Sequence, residues 1–131
     1  MTEGSVSLDL GDDYSEIREA VTKICDEYPG EYWRGLEDQG PEGSYPTAFV
    51  KALTAAGFLG ALIPEEYGGS GLPIRAGAVI LETVHANGCS AAACHAQMYI
   101  MGTLCVMVAR NKNAPIYRRL PPANFGCRPS V

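Results

Sequence analysis

Apolar residues recur at three- and four-residue spacing from Asp13 onward, at Ile17, Ala20, Val21, Ile24, Cys25 and Tyr28, the pattern of an amphipathic helix. Asp12 or Asp13 is placed to cap it, Glu16 sits in its first turn and Pro29-Gly30 ends it. Residues 31–45 are rich in glycine and charge, with Trp33 the largest apolar residue, and read as a loop or a short irregular helix. Ser44-Tyr45-Pro46 then sets a capping hydroxyl and a proline at a second helix start, whose apolar face is Phe49, Val50, Leu53 and Ala56, up to Gly57.

A short apolar run over 58–63 stops at Pro64, and Glu65-Glu66-Tyr67-Gly68-Gly69-Ser70-Gly71 is turn-forming chemistry. Pro73 opens a third helix through Ala76, Val79, Ile80, Thr83 and Val84, with Asn87-Gly88 as its stop, and Ser90 caps a last long one. Residues 89–109 are apolar nearly all round, long enough to cross a bilayer. His95, Gln97 and the many alanines and glycines favour a helix packed on all sides by protein instead. Beyond it prolines recur from Pro115 to Pro129 and periodicity is lost. The pattern predicts an all-α fold, a small bundle of about four helices with an irregular tail.

Composition sharpens this. A chain of 131 residues, 47% hydrophobic and 19% charged, is one folded domain rather than a disordered segment. The net charge of −5 is uneven: all 15 acids lie at or before Glu82, while Arg110, Lys112, Arg118, Arg119 and Arg128 follow. An acidic body argues against nucleic acid or an anionic membrane surface as partner. Five cysteines without a Cys-x-x-Cys argue against a disulfide framework and fit a reducing compartment. Residues 1–10 hold two acids and no Lys or Arg, so they read as a flexible terminus (1–13) without a targeting signal, and a cytoplasmic location is expected.

Taken alone, the chemistry-bearing residues are unpromising. His85, Cys89, Cys94 and His95 are soft metal ligands, but Gly88 breaks the helix between the pairs and neighbours on a helix point about 100° apart, so no tetrahedral set results. The same divergence separates Cys94 from His95 as nucleophile and base. The Gly-rich stretch at 68–71 lacks a preceding strand and a following lysine, so it is no phosphate loop. Glu65 and Glu66 read as solvated loop charge, and Met98, Met101 and Met107 as core.

One stretch is more specific. Residues 45–72, with Ala55-Ala56-Gly57-Phe58 leading to Ile63-Pro64-Glu65-Glu66-Tyr67-Gly68-Gly69-Ser70-Gly71-Leu72, resemble the amino-terminal helical domain of acyl-CoA dehydrogenases. Glu82 on the next helix and the text from Leu81 to Thr103, through Gly88-Cys89-Ser90 and Gly102, extend the likeness over 14–104. The resemblance implies a flavoprotein oxidoreductase of fatty acid metabolism with two further domains, a middle β-barrel and a carboxy-terminal four-helix bundle. FAD lies between those two, and a Glu removes the α-proton of an acyl-CoA substrate while hydride leaves the β-carbon for the flavin. The family's flavin motif, similar to T-E-P-x-A-G-S-D, and its Glu region are not found in these 131 residues. No catalytic, cofactor-binding or metal residue is therefore assigned.

The resemblance implies that this domain supplies one wall of the acyl-chain cavity. Anchoring on Gly88-Cys89-Ser90 and Gly102 points to Ala93, Cys94, Gln97, Met98 and Met101. Met98 stands where straight-chain members are often small, which suggests a shorter or branched acyl group. Complete members are commonly homotetramers, whereas this chain is expected to be inactive alone, to hold no FAD and to self-associate through an uncovered apolar face. The alternatives are a stand-alone helical interaction module and a small membrane-anchored protein. After Leu104 the likeness stops: codons consistent with residues 105–131, read one nucleotide earlier, permit family-like text, so this tail is expected to be a frameshift product.

Overall fold

The computed structural model describes residues 12–109; the tail beyond them, and most of the expected flexible terminus, lie outside the described residues. The described chain is all helical. Helices α1 (Ser15–Asp26), α4 (Thr47–Ala55), α5 (Ile74–Ala86) and α6 (Ala92–Ala109) are the four that the periodicity predicts. Two short helices, α2 (Gly30–Glu37) and α3 (Gly40–Gly43), occupy the stretch read as loop or irregular helix.

What orders α2 is an aromatic cluster. Tyr28 meets Tyr32 and Phe49 edge-on at 4.9 and 5.3 Å, and Trp33 meets Tyr32 and Phe49 at 5.1 Å each, the geometry that ring quadrupoles favour. Trp33 Nε1 donates to the Tyr28 carbonyl at 3.0 Å. Ser44 does not cap α4: its hydroxyl turns back to the Pro41 carbonyl at 3.4 Å, because it ends α3 and Pro46 takes the N-cap position. At α1, Asp12 accepts the Tyr14 backbone N–H at 2.9 Å, while Tyr14 itself, at φ 50°, precedes the first turn. Ser90 makes a long hydrogen bond, 3.5 Å, to the Ala92 N–H.

Gly88 (φ 76°) ends α5 in a Schellman turn, its N–H on the His85 carbonyl and the Cys89 N–H on the Val84 carbonyl. Between α4 and α5 the chain folds on itself. The N–H groups of Ser70, Gly71 and Leu72 donate to the carbonyls of Gly60, Ile63 and Ala61 at 3.2, 2.8 and 2.8 Å. A Cβ on Gly69 would stand 2.0 Å from the Ile63 oxygen, so only glycine closes this loop.

The core joins Val21 and Cys25 of α1, Phe49 and Leu53 of α4, Leu59 and Ala61 of the connection, Ile80 and Val84 of α5, and Cys94 and Met98 of α6. Outside it, Arg18 reaches Glu82 at 3.0 Å and Asn87 donates to Thr22 at 3.2 Å, both joining α1 to α5. Among the described residues no helix is long and apolar enough to cross a membrane, α6 included.

These two kinds of contact differ in worth. Phe49→Ala removes a fully buried ring and is expected to cost about 3–5 kcal/mol in urea unfolding. Glu82→Gln breaks an ion pair whose carboxylate side chain is 66% exposed and is expected to cost less than about 1 kcal/mol in the same measurement.

Candidate functional site

The turn at Gly88 delivers Cys89, Ala91 and then α6 into the core. Along α6 the buried positions are Cys94, Met98 and Met101, at spacings of four and three, with Ala91 just before the helix. Of the five residues expected to wall an acyl cavity, Cys94, Met98 and Met101 thus point inward, while Ala93 and Gln97 are half-buried beside them.

Between α5 and α6 runs an apolar groove of about 640 Å³. Gly77 and Leu81 line it from α5 and Met98, Tyr99 and Gly102 from α6, with Leu62 reaching toward the glycines of both helices. Its width follows from small residues. A Cβ on Gly77 would lie 3.2 Å from both Leu62 methyls and 3.3 Å from Met98 Cε, so those two side chains rest on the glycine. Met98 alone of the five candidates lines this groove; Ala93, Cys94, Gln97 and Met101 do not. His95 and Tyr99, whose rings lie 5.3 Å apart, stand at its edge. Sequence reasoning missed Gly77, Leu62 and Tyr99, which lie on three separate segments; the only available signal was a glycine inside each of two apolar helices.

Acid–base and metal chemistry find little footing here. The groove's lining includes no Asp, Glu, Lys or Arg, so this groove offers neither a carboxylate base nor a cation for a nucleotide pyrophosphate and does not fit FAD. Among the described residues no three His, Cys, Asp or Glu side chains converge on a metal position. His85 and His95 are exposed whereas Cys89 and Cys94 are buried. Burial pushes the Cys94 thiol up to about 11, the opposite of an activated nucleophile. Burial, with Cys89 beside it, pushes the Cys25 thiol up to about 12. Glu65 and Glu66 are exposed in a 3-10 turn.

Comparison with known proteins adds what the geometry leaves open. Benzylmalonyl-CoA dehydrogenase of Aromatoleum aromaticum is 28% identical over 123 residues, 94% of this chain and 32% of the relative, so the chain spans about a third of that protein's length. No solved structure matches. A family model described as acyl-CoA dehydrogenase, N-terminal domain, matches residues 11–111, past the end of the likeness at Leu104. With well over half of its length matched and an all-helical fold to go with it, the chain belongs to the acyl-CoA dehydrogenase family and carries its amino-terminal domain.

Proposed function

We propose that this domain serves the α,β-dehydrogenation of an acyl-CoA thioester with hydride transfer to FAD, as one wall of the acyl-chain cavity and not as the catalytic part. The family match over residues 11–111 carries this reading. The apolar, carboxylate-free character of the α5–α6 groove supports the division of labour: it suits hydrocarbon, and a carboxylate base must come from outside its lining. The 131-residue chain is expected to purify without flavin absorbance and to give no acyl-CoA-dependent reduction of a dye acceptor; turnover by the chain alone would overturn this. Ile74, Tyr99 and Met107 stand exposed around the groove, which favours self-association of the isolated chain.

The substrate class follows from Met98. It fills the space above Gly77, which shortens or deflects any chain running between α5 and α6, and a relative named for benzylmalonyl-CoA, a branched and bulky acyl thioester, agrees with that. In an intact relative, Met98→Gly at the matching position is expected to move kcat/KM toward longer straight-chain substrates by roughly tenfold. An unchanged chain-length preference would remove the assignment.

A change of reading frame after Leu104 is a separate proposal, carried by the loss of family-like text over residues 105–131; the family match running on to residue 111 counts against it. Resequencing the DNA from the Gly102 codon onward tests it: one inserted or deleted base restoring family-like text is the expected result, and an undisturbed frame would sink it.

A further inference from the structure

Cys25 lies in the last turn of α1, and Cys89 lies 64 residues later, directly after the Schellman turn that ends α5. The two side chains meet in the core. The Cys89 thiol lies 3.8 Å from the Cys25 carbonyl oxygen and 3.7 Å from that of Tyr28, which sets it against the last turn of α1. Both residues are nearly closed to solvent, at 3% and 4% exposure. Their backbones are held in place by other contacts, since Asn87 bonds Thr22 and Arg18 bonds Glu82 across the same pair of helices. A third buried thiol, Cys94, sits inside α6, where its backbone is fixed by the helix.

We propose that Cys25 and Cys89 form a latent disulfide pair, which closes into an intramolecular bond between α1 and the α5–α6 turn when the chain meets a two-electron thiol oxidant. An azodicarboxamide supplies the balance. One sulfur, as thiolate, adds to the N=N bond; the second attacks that sulfur, the S–S bond forms and the S–N bond breaks. The hydrazine leaves with the two electrons and the two protons that the thiols lose. Because both thiols are closed to solvent, the reaction waits on local opening of the α1 end and is slow in the native chain. Once formed, the bond closes a loop of more than sixty residues and restricts the unfolded state.

The test uses the full chain with Cys105→Ser and Cys127→Ser, so that three thiols remain. After azodicarboxamide treatment, tandem mass spectrometry is expected to find Cys25 joined to Cys89 in a monomer that has lost two hydrogens. The thermal midpoint should rise by about 5 °C or more and fall back on reduction. Cys94→Ala should keep the bond, and Cys25→Ala or Cys89→Ala should lose it. A map joining Cys94 to either partner, a crosslink only between chains, or a monomer with all three thiols intact after prolonged treatment would overturn the proposal. The map and the midpoint decide it even where a variant fails to fold.

Discussion

Burial of α5 is the constraint on which the rest of the domain depends. Ala76, Gly77, Val79, Ile80, Thr83 and Val84 are all buried along its thirteen residues, and at about 100° per residue they make one continuous face that neighbours must cover. The one buried hydroxyl, on Thr83, is satisfied within the helix by the Val79 carbonyl at 2.7 Å, which removes the cost of burying it unpaired. On one side α1 covers the helix, packed through Val21 and Cys25 and held at its rim by Arg18 and Thr22. On another, Leu62 and Met98 press against Gly77. The glycine costs helix propensity, and what it returns is close approach.

That close approach is incomplete toward α6. Leu62 and Met98 cover Gly77, but along Ala78, Leu81, Tyr99 and Gly102 an apolar groove remains open. A gap of this kind is destabilising in a closed core, and here it leaves an apolar surface open to a further apolar group. In the proposed role the domain contributes shape, set by Gly77 and by the Leu62 and Met98 side chains packed on it.

The loop between α4 and α5 shows how local chemistry serves this arrangement. Its Gly-rich text resembles a phosphate loop only superficially; the structure spends the glycines on the chain itself, where Gly69 lies against the Ile63 carbonyl and Gly68 takes φ 87°. The same fold-back buries Leu59, Ala61 and Ile63 and leaves Leu62 facing the groove.

Much of this was legible in the residues. Four helices, their ends at Gly57 and Gly88, the turn at 65–71 and the family itself are written in periodicity, glycine and proline placement and a run of specific text, because each is a short-range property of the chain. Between loop and short helix the residues of α2 left the choice open, since its order draws on rings contributed by Tyr28 and Phe49 as well as its own. The facing of α6 was not legible. A helix apolar nearly all round has no preferred side until its neighbours choose one, and tertiary packing chose Cys94, Met98 and Met101. For the same reason the groove lines up Met98 with Leu62 and Gly77 but not with the other four positions read from the family text. The sequence determined which segments are helices; only their packing decided which side chains share a surface, because that depends on residues far apart in the chain coming to within a few ångströms.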